Sequence, residues 1–204
     1  MASITFNNLP QEKKDRIVKA AVKEFSRVPL ERALISNIIR DAEIPRGSFY
    51  QYFENIDDLF VYILDLISKS VNSEFIEIVM DKNNDFFEVM KQKFYEVICY
   101  FENGKNRQFN INVLTSIINI ELKQTNLSKK INELKLRTNS DLIPDEIKNI
   151  PNSSQFIGLI EMASMSCLNK FVFKGISKNE IYEEYATYLD YIKEIAIKKY
   201  KKSE

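Results

Sequence analysis

Apolar residues recur at helical spacing along most of the chain, and no stretch alternates with the period of two that marks a half-buried strand. Between Pro10 and Arg27, Ile17, Ala21 and Phe25 fall at i, i+4 and i+8. Lys13, Lys14, Arg16, Lys19 and Lys23 lie largely off that stripe, which predicts an amphipathic helix ended by Pro29. Pro10 suits a first helical turn, where its missing N–H would have no partner anyway. Residues 1–8 read as a loose leader. Ile35, Ile38, Ile39 and Ala42 give an apolar face to a short second helix, from about Leu34 to Glu43. Ile44, Phe49 and Phe53 do the same for a third, from about Pro45 to Tyr52.

Beyond Asn55 the helices lengthen. Asp57 and Asp58 suit the first turn of a fourth helix, where acidic groups complement the helix dipole. Leu59, Phe60, Ile63, Leu66, Ile67, Val71, Phe75 and Ile78 carry it to about Met80. Phe86–Glu102 follows, broken by Gly104, then Arg107–Lys123 and a shorter helix from Leu127 to about Arg137. Residues 138–153 hold two Pro among Asn, Asp and Ser and predict an irregular loop or a broken helix. Gln155–Lys174 is strongly apolar, with Gly175 placed to cap it. Ser177 and Glu180 form a capping box opening a last helix to about Lys201, whose KKYKK end reads as solvated and frayed. The expectation is an all-α chain of about nine helices. Residues 1–55 would form a small domain, joined by the long fourth helix to a larger helical domain over 56–204.

Composition narrows the chemistry. The chain has 204 residues, no His and only two Cys, Cys99 and Cys167, each isolated in apolar surroundings. The commonest general base and transition-metal ligand are therefore missing, and no zinc spacing exists. No carboxylate or Cys constellation suggests catalysis, so no enzyme, metal or cofactor is expected. No secretory signal and no uninterrupted run of about 18 apolar residues is visible, which predicts a cytoplasmic protein with no membrane span. The formal net charge is zero, yet residues 1–55 hold 9 Lys and Arg against 7 Asp and Glu. That mild surplus has the right sign for a nucleic-acid partner.

Two short helices joined by a tight turn make a helix-turn-helix, whose second helix enters the DNA major groove. With Phe49 and Phe53 turned to the core, Arg46, Gly47, Ser48, Tyr50 and Gln51 face elsewhere. Arg46 suits a phosphate or the O6 and N7 of guanine. The Gln51 amide pairs with adenine or is a plain surface group. Gly47 costs the helix about 1 kcal/mol relative to Ala, and a missing side chain lets a backbone approach closely. Tyr50 can pack its ring at the helix edge and donate its hydroxyl to a phosphate. Tyr52 either does the same or fills the core. Ser36 and Asn37, with Arg40, are exposed positions of the second helix.

The stretch AEIPRGSFYQYFENIDDLF resembles the N-terminal signature of the TetR (tetracycline-repressor) family of bacterial transcriptional regulators. Ala42, Ile44, Arg46, Gly47, Ser48, Phe49, Tyr50, Tyr52, Phe53, Asp58, Leu59 and Phe60 match that pattern. Ile17, Ala20, Ala21, Phe25 and Ile38 match upstream. The resemblance is specific over about residues 10–62 and extends beyond only as a plan of helices. It departs at Glu43, where the family usually has Gly; a left-handed backbone there would cost Glu roughly 1 kcal/mol. Ala33 and Leu34 replace a usual Thr or Ser cap, Ile56 replaces a common Lys, and Pro45 replaces a usual Ser.

The resemblance implies a homodimeric, effector-responsive regulator, expected to be a repressor, on a near-palindromic double-stranded DNA operator. It also implies a cavity for a small, largely apolar effector. Candidates to line it are Phe87, Met90, Phe94, Tyr95, Phe109, Leu114, Ile118 and Met162, all equally readable as core. The last two helices carry more apolar and Tyr surface than one monomer needs. Phe156, Ile160, Met165, Leu168, Phe171 and Phe173, with Ile181, Tyr185, Tyr188, Leu189, Ile192 and Ile195, are the candidate dimer face. A helical carrier or scaffold that has lost specific DNA binding is the competing expectation, favoured by Ala33, Leu34, Glu43 and Ile56.

Overall fold

A computed structural model describes residues 2–80, 85–104, 106–140, 143, 145–149 and 152–200. Side chains are described except at 71–77, 79, 80, 103, 136–140, 145, 146 and 196–200. Among the described residues every regular element is helical. In chain order these are α1 Ile4–Asn7, α2 Gln11–Arg27, a 3₁₀ turn Leu30–Arg32, α3 Ile35–Asp41, α4 Arg46–Tyr52 and α5 Ile56–Met80. Then come α6 Phe86–Asn103, α7 Arg107–Lys123, α8 Asn126–Ser140, α9 Asp145–Lys148, α10 Ser153–Lys174 and α11 Lys178–Tyr200. The nine expected helices are present to within a turn.

Two short helices were not expected. The leader is no loose tail: Ser3 caps α1, and Phe6 is fully buried. A four-residue helix carries too little periodicity to be read from sequence. Within 138–153, α8 runs to Ser140 and α9 occupies Asp145–Lys148. Residues 141, 142, 144, 150 and 151 lie outside the described set, as do Lys201 and Lys202 of the KKYKK end.

The chain groups into two compact units. The first comprises residues 1–72 and 106–138. Its core gathers Ile17, Ala21 and Phe25 of α2, Ile38 of α3, Phe49 and Tyr52 of α4, and Leu59 and Phe60 of α5. Phe109 of α7 and Ile131 of α8 complete it. Polar contacts tie α7 to the end of α2. The Asn112 amide donates to the Phe25 and Ser26 carbonyls at 2.8 and 2.9 Å, and the Leu30 N–H donates to Ser116 Oγ at 2.9 Å. These three hydrogen bonds satisfy groups at a helix end that would otherwise lack partners.

The second unit comprises residues 73–105 and 139–204. Phe94 of α6 stacks on the fully buried Tyr185 of α11, with ring centroids 4.0 Å apart. Phe156, Ile160 and Cys167 of α10 and Ile181, Leu189 and Ile192 of α11 surround them. Gly175 closes α10 at φ +68°, and the Ser177–Glu180 capping box is formed in both directions. By length and composition α10 could cross a membrane, with mean hydropathy 1.4 over its most apolar window. No uninterrupted apolar run marks it in the sequence, because Glu161 and Lys170 lie within it.

Candidate nucleic-acid interface

The turn between α3 and α4 is a complete Schellman motif. The Glu43 N–H donates to the Arg40 carbonyl at 3.2 Å, and the Ile44 N–H donates to the Ile39 carbonyl at 3.1 Å. That geometry puts Glu43 at φ 54°, in the left-handed region. The anticipated strain at this usual Gly position is therefore present. Pro45 stands at the N-cap of α4 in extended conformation, and Phe49 is fully buried.

These anchors fix what α4 shows to solvent. Arg46, Gly47, Tyr50 and Gln51 are exposed and follow one another at i, i+1, i+4 and i+5, a single face; Ser48 is half-buried. Tyr50 keeps 48% of its surface exposed while its ring meets Phe49 edge-on at 5.4 Å. A Cβ added to Gly47 would meet nothing within 4 Å, so the fold itself gives no steric reason for glycine there. Tyr52 resolves towards its core alternative. It is 4% exposed, packed against Phe6, with the Lys13 ammonium 5.5 Å from its ring centre.

Helix α3 is held by a residue that the sequence pattern passed over. Glu24 of α2 is buried. Its carboxylate accepts from Arg27 Nε and Nη2 at 2.9 and 2.6 Å, from the Leu34 N–H at 2.8 Å, and from the Asn37 amide at 3.1 and 3.2 Å. The Arg27 guanidinium holds the Glu24 carboxyl below its ordinary value, with Leu34 and Asn37 helping against the opposing effect of burial. Asn37 is thus half-buried with its amide engaged, while Ser36 is exposed as expected. The signal was available: Glu24 lies four residues after Ala20 and seven after Ile17, on the apolar stripe of α2.

At the other end of α4, Asn55 Oδ1 accepts from the Asp58 N–H at 3.0 Å and caps α5. Asp58 is 2% exposed, and Lys130 Nζ of α8 lies 2.8 Å from it. Burial raises the Asp58 carboxyl, while the Lys130 hydrogen bond and charge are among the opposing effects that leave it below the usual value. Nothing in the sequence between Asp58 and Lys130 announces this pair. A shallow open depression of about 360 Å³ beside it is lined by Ser3, Tyr50, Gln51, Tyr52, Phe53, Glu54, Asp58 and Lys130.

The candidate effector residues divide between the two units. Phe109, Leu114 and Ile118 belong to the first unit; Phe87, Met90, Phe94, Tyr95 and Met162 belong to the second. Phe87, Phe94, Phe109 and Leu114 are buried, and Met90 and Ile118 half-buried. Tyr95 and Met162 are 40% and 70% exposed. The candidate dimer residues also divide. Phe156, Ile160, Tyr185 and Ile192 are buried within the single chain, because their stripe packs the core of the second unit. Met165, Leu168, Phe171 and Tyr188 are half-buried. Among the described residues, the exposed large apolar side chains of α10 and α11 are Leu159, Met162, Phe173, Tyr191 and Ile195, of which Phe173 and Ile195 belong to the candidate dimer set. Periodicity finds a stripe but not which of two opposed stripes faces the chain's own core.

The geometry defines an all-α protein with an N-terminal helix-turn-helix. Residues 17–63 match the family model described as "Bacterial regulatory proteins, tetR family". Over most of its length the chain has the fold of solved TetR-family regulators. One from Syntrophomonas wolfei is 22% identical with TM-score 0.60, covering 92% of this chain and 96% of that one. A TetR regulator from Rhodococcus sp. RHA1 is 12% identical with TM-score 0.59, covering 89% and 96%. The fatty acid degradation regulator FadR from Bacillus halodurans is 19% identical with TM-score 0.60, covering 86% and 97%. No curated protein sequence matches the chain. The N-terminal domain thus matches the tetR family model, and the fold is that of solved TetR-family regulators.

Proposed function

We propose that the protein binds a near-palindromic operator as a homodimer and represses transcription until a small, largely apolar effector releases it. The observation that carries the reading is the exposed face of α4. It sets a guanidinium, a bare backbone, a phenol and an amide side by side on a helix whose other face is locked in the core. Arg46 and Gln51 have the groups that recognise base edges, and Tyr50 and Ser48 those that hold phosphate. Two copies of α4 would enter successive major grooves about 34–36 Å apart. Functionally the chain then divides near residue 55, with DNA binding before it and effector binding and dimerisation after it.

The dimer face is drawn by Leu159, Met162, Phe173, Tyr191 and Ile195, and a second copy is the occupant that covers it. The same surface accounts for a helix as apolar as α10 without a membrane. The effector would bind one conformer more tightly than the other, since only that difference shifts the equilibrium. The departures at Ala33 and Leu34 favour a second reading, a helical carrier without specific DNA binding; Leu34 is 53% exposed and offers no side-chain cap. Gel shift on genomic fragments adjoining the protein's own gene separates the two. A regulator retains one fragment selectively in competition with the rest, and a carrier retains none.

A further inference from the structure

We infer that α1 is a latch that supplies the C-terminal cap of α4 and so positions its DNA-facing side chains. Helix α4 has only seven residues, and a helix that short is marginal unless its ends are tied down. Its last carbonyls have no partner within the helix. Ser3 provides two of the missing donors. Its N–H donates to the Tyr52 carbonyl at 2.9 Å, and its hydroxyl donates to the Gln51 carbonyl at 2.6 Å. The same hydroxyl accepts from the Phe6 N–H at 3.2 Å and so caps α1. One side-chain oxygen joins the start of α1 to the end of α4.

Phe6 locks this junction. It is fully buried, with ring centroids 4.7 Å from Phe53, 5.1 Å from Tyr62 and 5.9 Å from Tyr52. The latch grips the backbone of Gln51 and Tyr52, next to Tyr50. Ser3 is therefore a positioning residue in the proposed DNA-binding reading, on which this inference rests for its functional half. Threonine retains the bridging oxygen; alanine removes it and leaves the Gln51 carbonyl without that donor.

The test compares wild type with Ser3→Ala and Ser3→Thr by two readouts. The first is amide hydrogen exchange, which needs no DNA. Ser3→Ala is expected to speed exchange in α4 about tenfold, the effect of losing one such hydrogen bond, with α10 and α11 unchanged and Ser3→Thr near wild type. Unchanged exchange in α4 overturns the latch. The second is affinity across a salt series for the genomic fragment that wild type selects. Ser3→Ala is expected to weaken it severalfold with the slope of log K against log salt unchanged. A flatter slope means that Ser3 itself held a phosphate, and overturns the positioning role. Faster α4 exchange in a protein whose wild type selects no fragment supports the latch and refutes the DNA-binding reading instead.

Discussion

The buried carboxylate of Glu24 accepts the Leu34 N–H at 2.8 Å, and thereby supplies from α2 half of the cap that α3 lacks in its own sequence. In a capping box the acidic residue three positions into a helix reaches back to the N-cap N–H. Here the acid comes from another helix, so capping α3 also docks it on α2.

Replacing Glu24 by Ala strands the Leu34 N–H and the Asn37 amide in a partly buried site. Removing one partner of such a set costs about 1–3 kcal/mol. The expected result is a lower urea midpoint with faster amide exchange across α3. Leu34→Ser supplies the other half of the cap and should raise stability by about 1 kcal/mol, with or without Glu24.

Acid should act on the same unit. Glu24 and Asp58 both titrate below their ordinary values of 4.5 and 3.8. Their ionised forms therefore stabilise the fold fully above those values, and that contribution fades as the pH falls through the lower folded values. Lys130→Met, which removes one of the partners of Asp58, should reduce stability at pH 7 by about 1–2 kcal/mol, because Lys130 is only partly buried. It should also flatten the loss of stability below pH 4. Urea midpoints at pH 7 and pH 3.5 for both proteins measure the two effects.

Glu43 occupies the left-handed position of a Schellman motif, at φ 54°. Glycine adopts that conformation without a Cβ penalty, so Glu43→Gly should stabilise the protein by about 1 kcal/mol. Its contact with Arg16, 3.9 Å apart and exposed, offsets little of that. A urea midpoint below wild type would contradict the assignment of strain.

Gly47 should behave in the opposite sense for stability and binding. A Cβ there meets nothing in the folded chain, and Ala is the better helix former by up to about 1 kcal/mol. Gly47→Ala is expected to leave the thermal midpoint unchanged or higher while weakening fragment affinity about tenfold or more. Unaltered affinity would mean that no backbone approaches α4 closely at this point.

How far the sequence could be read depended on what holds each part together. Helices whose stability comes from a repeated apolar face, such as α2, α5 and α7, were legible, because the 3.6-residue period is written in single residues. Caps made by neighbours in sequence were legible too, as at Gly175 and in the Ser177–Glu180 box. Contacts closed through space were not. Ser3 meets Gln51 across 48 residues, Lys130 meets Asp58 across 72, and Asn112 meets Phe25 across 87. The exposed set on α4 followed from Phe49 facing the core. Periodicity does not decide Tyr52, because its burial depends on Phe6, in a leader with no readable period. On α10 and α11 both helix faces are apolar, so periodicity alone does not separate the stripe that packs the chain's own core from the exposed one.

The central claim is that the exposed face of α4 reads DNA, and the measurement that meets it most directly is equilibrium binding of wild type and Arg46→Ala to genomic fragments across a salt series. Wild type should select one fragment and lose affinity steeply with salt. Arg46→Ala should bind that fragment at least about tenfold more weakly, the effect of one lost specific contact, with its urea midpoint unchanged. Equal affinities for wild type and Arg46→Ala, or no preference among fragments, would contradict it.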